Sequence, residues 1–284
     1  MVTVDIPRYA IGIGAQKCAS SWLHSVLATH PQVGASKPKE VDFFSYYFDR
    51  GFQWYENHFP AGKALRFENA PSYFHDPRAP GRLRSYAPDT RIVALLRDPI
   101  ERAYSNHLHE VIKGHIPAVS FREGLANNPS YLEQSRYNTN LSRWYDAFPR
   151  NQIKVVIAED IGTNPKEIAR SIYEFLGLNS NHATGILVER RNVSDKAKSP
   201  GLRRMLRRGG DGMRALGLEE TLTKAKNMTP VRQMLAANAQ DMRQVVPPLS
   251  IEERRDLLNA LRPEMAGLAT LIGRKNLPWE SWGK

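Results

Sequence analysis

Apolar residues follow two rhythms along this chain. Short unbroken runs stand at Tyr9-Ala-Ile-Gly-Ile-Gly14, Arg91-Ile-Val-Ala-Leu-Leu96 and Ile153-Lys-Val-Val-Ile-Ala158. Runs of that length and continuity read as strands buried on both faces. Ala64-Leu-Arg-Phe-Glu68 is a weaker candidate of the same kind. Between the runs the spacing is helical. From Ser20 to Thr29, Trp22, Leu23, Val26 and Leu27 share one face, and Pro31 stops the helix. After Leu96, Asp98 stands as N-cap, Pro99 at the first helical position and Glu101 at the third, the pattern of a capping box. Pro165 opens a further helix through Leu176, ended by Gly177. Strands interleaved with helices predict an α/β fold, a central parallel sheet flanked by helices.

The last third has a different texture. Basic and amphipathic helical patterns begin at Gly201, and a clearer helix is predicted over about Ile251 to Ile272, interrupted or kinked at Pro263. The domain expected is single, residues 1–284, with a core over about 9–200 and a helical, basic C-terminal part over about 201–284.

Charge changes the picture more than composition does. The net charge is +11, and the segment Arg190 to Arg214 holds nine Lys/Arg against two Asp. Such a cluster suits an anionic partner or a solvated helix face. It lacks interleaved aromatic residues, so no nucleic-acid partner is expected. No apolar run approaches the roughly 18 residues of a membrane span. The first residues show no secretory pattern, and the single cysteine allows no internal disulfide, which together predict a cytoplasmic protein.

The chemistry concentrates in Gly14-Ala-Gln-Lys-Cys-Ala-Ser-Ser21, placed between a strand and a helix. Small residues let the backbone approach an anion. The helix start supplies N–H groups and the positive end of its dipole. Gln16, Lys17, Cys18, Ala19, Ser20 and Ser21 are the candidate phosphate-binding residues, making the sheet P-loop-like. The order is not that of a Walker A motif, in which Gly-Lys-Ser/Thr closes the loop. An ordinary strand-to-helix turn with a solvated lysine is the alternative. Cys18 has no acid or base motif beside it and reads as a small loop residue.

Lys17, followed by small residues, two hydroxyls and, one helix later, His30-Pro31, resembles the 5′-phosphosulfate loop of sulfotransferases that use 3′-phosphoadenosine 5′-phosphosulfate (PAPS). The likeness is to the branch of the heparan sulfate and other carbohydrate enzymes and their bacterial relatives. Ala19 and Ser20 replace that family's usual glycine and threonine. The family places an arginine at a strand end and a serine eight residues later on the 3′-phosphate, and Arg97 and Ser105 match those positions. Their geometry suits the role, because ligands of open α/β sheets bind at the carboxyl ends of the strands. Asp98 permits a rival reading as a Walker B acid, and with it a P-loop nucleotide kinase-type phosphotransferase. Lys196 and Lys198 resemble, more loosely, a late loop that closes over the nucleotide, with acceptor binding and solvation as alternatives.

The same resemblance implies a catalytic base. Glu40, 23 residues after Lys17, precedes the paired aromatics Phe43-Phe44 as the family's glutamate does. An acceptor hydroxyl must lose its proton as it attacks sulfur, although a charged surface turn would read alike. Lys17 is expected to neutralise charge as 3′,5′-ADP departs. No metal is expected, since His107 and His109, two apart, diverge on a helix. The reaction implied is sulfuryl transfer from PAPS to a hydroxyl or amine of a carbohydrate-like acceptor, with oligosaccharide, lipid and small-metabolite acceptors open. Asn69, where heparan enzymes carry lysine, and Asp42, where histidine is common, depart from a glycosaminoglycan pattern.

Overall fold

The computed structural model describes residues 5–182, 195–197, 239–241 and 245–282. Two compact units are formed, one of Met1–His107, Phe121–Arg191 and Leu249–Lys284, the other of Leu108–Ser120 and Asn192–Pro248.

The first unit is built on five parallel strands: β1 (Tyr9–Gly14), β2 (Val33–Ala35), β3 (Leu65–Asn69), β4 (Arg91–Leu96) and β5 (Ile153–Ile157), in the order β2-β3-β1-β4-β5. β1 is therefore central, between β3 and β4. Every residue of β1 is buried, as are Ile92 to Leu96 of β4. This is why those segments read as continuous apolar runs: with helices on both faces, no side of the strand meets water. Each buried aliphatic side chain of this kind contributes about 1.5–3 kcal/mol.

Three helices carry the site. α1 (Ser20–Ala28) follows β1 and buries Trp22, Leu23, Val26 and Leu27, the face its periodicity marks. Later come α2 (Phe52–Glu56), α3 (Ala79–Tyr86), α4 (Pro99–Lys113), α5 (Phe121–Asn127), α6 (Ser130–Glu133), α7 (Tyr137–Ala147), α8 (Ala158–Thr163) and α9 (Pro165–Phe175), of which α4 and α7 frame the chemistry below. Asp98 does cap α4, its Oδ1 accepting from the N–H of Ile100 at 2.9 Å and of Glu101 at 3.1 Å. The return half of the box is absent. The N–H of Asp98 donates to Glu159 Oε1 at 2.9 Å, and Glu101 pairs with Arg254 at 3.0 Å.

A complete capping box occurs instead at Ser250 and Glu253, opening α10 (Ile251–Met265). Pro263 lies inside that helix without ending it. The break falls at Ala266–Gly267, where Gly267 has φ 80°, and α11 (Leu268–Leu271) follows. A glycine in the left-handed region ends a helix more firmly than a proline that removes one donor near its last turn.

In the second unit, β6 (Asp195–Ala197) and β7 (Ala239–Asp241) form an antiparallel pair with Lys196 opposite Gln240. Lys198 lies outside the described residues. Among the described residues no helix is long and apolar enough to cross a membrane.

Candidate active site

The loop between β1 and α1 leaves the central strand at Gly14, whose φ is 99° and whose added Cβ would stand 2.9 Å from the Cα of Pro71. Only glycine fits both the conformation and the space. Lys17 (φ 69°) and Ala19 (φ 67°) are also left-handed and bracket Cys18. Alternation of backbone hand turns successive N–H groups toward one side, the geometry of an anion-binding concavity. At position 19 alanine adopts this left-handed conformation at a cost of about 1–2 kcal/mol.

The loop residues are not equivalent. Cys18 is fully buried, with Sγ 3.9 Å from the phenol oxygen of Tyr137, and burial pushes its thiol up to about 11. It stays a thiol, and only its backbone is left for a ligand. The N–H of Gln16 donates to Gln134 Oε1 at 3.2 Å, and Gln134 Nε2 donates back to Gln16 Oε1 at 3.2 Å. Gln134 thus takes the backbone N–H and the amide oxygen of Gln16. Ser20 Oγ accepts from Lys39 Nζ at 3.2 Å, and its carbonyl accepts from Asn69 Nδ2. Asn69 is wholly buried at the end of β3 and anchors the start of α1.

Arg97 leaves β4 on the same edge of the sheet. Ala15 N–H donates to the carbonyl of Leu95 at 2.7 Å. Lys17 and Arg97 therefore each lie two residues beyond a shared cross-strand bond. Ser105 is buried two turns into α4. The carbonyl of Arg97 accepts from the phenol of Tyr137 at 2.8 Å.

Gln134 and Ser135, between α6 and α7, and Tyr137, the first residue of α7, were not singled out from sequence. Yet this short segment holds Gln16, the carbonyl of Pro99 (from Ser135 Oγ, 2.9 Å) and the carbonyl of Arg97. It straps the loop to the end of β4. Nothing in its sequence marks it, since its partners lie 36 to 118 residues away.

Glu40 sits on the far side of the loop. Its Oε1 is 2.8 Å from Lys39 Nζ, and its side chain is about half exposed. The turn that carries it is fastened from below by Glu68, the penultimate residue of β3. Glu68 Oε1 accepts from the N–H of Val41 at 2.9 Å and of Asp42 at 3.0 Å, and the phenols of Tyr55 and Tyr73 also donate to this carboxyl. Burial pushes it up to about 7. Asp42 (φ 56°) accepts from Ser72 Oγ, and burial raises its carboxyl as well. His24, one turn beyond Ser20 in α1, is held neutral: burial lowers it to about 4, with the charge of Lys39 adding to the effect. A lone histidine inside a helix gave no sequence signal.

Residues 8–202 match the model of the sulfotransferase domain. The chain belongs to the sulfotransferase family. Over 196 residues it is 30% identical to the human bifunctional heparan sulfate N-deacetylase/N-sulfotransferase 2, a match covering 61% of this chain and 22% of that protein. The bifunctional heparan sulfate N-deacetylase/N-sulfotransferase 1 of Caenorhabditis elegans is 30% identical over 185 residues, covering 58% and 22%. The chain thus spans about a fifth of the length of the curated relatives it matches. Among solved structures, a sulfotransferase from Alicyclobacillus acidocaldarius shares the fold with a TM-score of 0.68 at 21% identity, covering 96% of this chain and 98% of that one. Mouse sulfotransferase SULT7A1 complexed with PAP shares it with a TM-score of 0.52 at 11% identity, covering 94% and 89%. The fold is the fold of these sulfotransferases.

Proposed function

We propose that this sulfotransferase binds PAPS along the carboxyl edge of β1 and β4 and sulfates a hydroxyl or amine of a carbohydrate-like acceptor. The observation that carries the reading is the pairing of Lys17 and Arg97 beyond the Ala15–Leu95 bond, which sets two cationic groups on one edge of adjacent strands. The left-handed turns at Lys17 and Ala19 suit a 5′-phosphate cradle, with Ser20 and Ser21 opening α1. Arg97 and Ser105 suit the 3′-phosphate, the guanidinium by its two-pronged donation.

PAPS, when bound, supplies an activated sulfuryl group. The chain's own residues do the rest by position and charge. Lys17 neutralises negative charge on the departing nucleotide. Glu40 accepts the proton of the acceptor, oriented by Lys39, which also donates to Ser20 at the start of α1. Asn69, buried, and Asp42, half-buried, depart from the heparan pattern, so the reading extends to a carbohydrate-like acceptor and not to a glycosaminoglycan.

Differential scanning tests the reading: 3′,5′-ADP should raise the melting temperature by several degrees, while ATP with magnesium should do so poorly. Labelled PAPS and a panel of saccharide, lipid and small-molecule acceptors should then yield a labelled product, and Lys17→Ala should abolish it. Equal stabilisation by ATP and loss of none of the turnover in Lys17→Ala would overturn it.

A further inference from the structure

Arg102 stands five residues beyond Arg97 in α4 and is completely buried. Its Nε donates to Ser135 Oγ at 2.7 Å and its Nη2 to the carbonyl of Tyr131, while Nη1 is buried with no hydrogen-bond partner. Among the described residues no carboxylate pairs with it. That sets it apart from the half-buried Arg66, Arg136 and Arg274, which meet Glu56, Glu264 and Asp160. Buried arginines are ordinarily paired, because an uncompensated charge inside a protein is costly. A fold that keeps one unpaired leaves a standing positive potential in the region around it.

We propose that Arg102 is a positioning residue for the nucleotide, a buried cation whose counter-ion is the bound phosphate-bearing donor. The proposal rests on the PAPS reading above.

Placement supports it. The strap that holds Arg102, through Tyr131 and Ser135, is the strap that clamps Gln16 in the phosphate loop and the carbonyl of Arg97. The charge of Arg102 acts on Cys18 and Tyr137 and is opposed by that of Arg97, while the carboxyl of Glu159 acts on Cys18 with the opposite sign. Cys18 and Tyr137 are both held protonated by burial, and Arg97 adds a second cation. The field of Arg102 is felt at Cys18, inside the loop, where it opposes the effect of burial. Since all its nitrogens are enclosed, Arg102 acts on the ligand through space and through the strap, without contact. An anion at the loop and at Arg97 would compensate charge that the apoprotein leaves unmatched.

The test is calorimetric titration of the full chain and of Arg102→Gln, Arg102→Lys, Ser135→Asp and Arg97→Gln with adenosine, adenosine 5′-phosphate and 3′,5′-ADP. For Arg102→Gln the expected loss grows with ligand charge: none for adenosine, and roughly tenfold or more for 3′,5′-ADP, the scale of one buried charge acting over a short distance. Arg102→Lys keeps the charge and stays within about threefold of the parent by the same reasoning. Ser135→Asp installs an internal counter-ion beside Arg102, so it too should weaken 3′,5′-ADP and spare adenosine, which reads the same charge if Arg102→Gln does not fold. Equal weakening of adenosine and 3′,5′-ADP, or unchanged affinity in both neutralising variants, overturns the proposal. If the parent chain fails to bind 3′,5′-ADP, or Arg97→Gln binds it unchanged, the PAPS reading itself falls.

Discussion

Lys39 Nζ lies 2.8 Å from Oε1 of Glu40 while donating to Ser20 Oγ at 3.2 Å, so one lysine joins the proposed base to the start of α1. Glu40→Gln preserves size and can still accept from Lys39, but it removes the basic oxygen. Turnover is expected to fall about 100-fold or more, with affinity for 3′,5′-ADP unchanged. Lys39→Met should lower both, because Ser20 also loses its partner. Steady-state sulfation assays and calorimetry separate the two patterns, and full activity in Glu40→Gln would remove Glu40 from its role.

Gln134 makes two hydrogen bonds to Gln16 from a buried position. Gln134→Ala leaves an N–H and an amide oxygen of the loop without partners, at about 1–3 kcal/mol for each such group that stays dry. The melting temperature should drop and nucleotide affinity should fall with it. A variant that keeps parental affinity would show that the loop holds its shape without the strap.

Gly12 is a second structural checkpoint under the loop. A Cβ there would stand 2.5 Å from Asn69 Oδ1 and 3.1 Å from Leu23 Cδ2. Gly12→Ala must displace the side chain that holds the carbonyl of Ser20. A loss of about 1–3 kcal/mol is expected from overpacking, read as a lower midpoint in chemical denaturation.

Glu68 makes stability depend on pH. Its carboxyl is raised from an ordinary 4.5 to about 7 by burial. The folded state therefore holds a proton that the unfolded chain releases, so this contribution is full below about 4.5 and is lost as pH rises through about 7. Glu68→Gln, which cannot titrate, should show a flatter profile than the parent between those values, by a few kcal/mol in all. Denaturation midpoints collected from pH 4.5 to 8 give the difference directly; parallel curves would exclude Glu68 as the source.

The strands, the first helix and the turn between them were legible in the sequence because each is encoded locally. β1 and β4 are apolar throughout since both faces are covered, and the spacing from Trp22 to Leu27 states which side of α1 is buried. β2, three residues long, carries too little pattern to be read. The box expected at Asp98 lost its second half to Glu159, a partner 61 residues away. The helix near the C-terminus broke at Gly267, because a positive φ is a stronger stop than Pro263.

What the sequence determined alone is the set of local devices: buried parallel strands, a lysine-bearing turn with small residues, an arginine at a strand end, and a glutamate ahead of paired aromatics. What only the tertiary structure decided is how these are joined. The strap from Gln134 to Tyr137, the grip of Glu68 beneath Glu40, and the buried Arg102, which meets no carboxylate among the described residues, all depend on contacts between segments far apart in the chain. Hydrogen bonds and fields act across a few ångströms whatever the sequence separation, so residue spacing along the chain carries no trace of them.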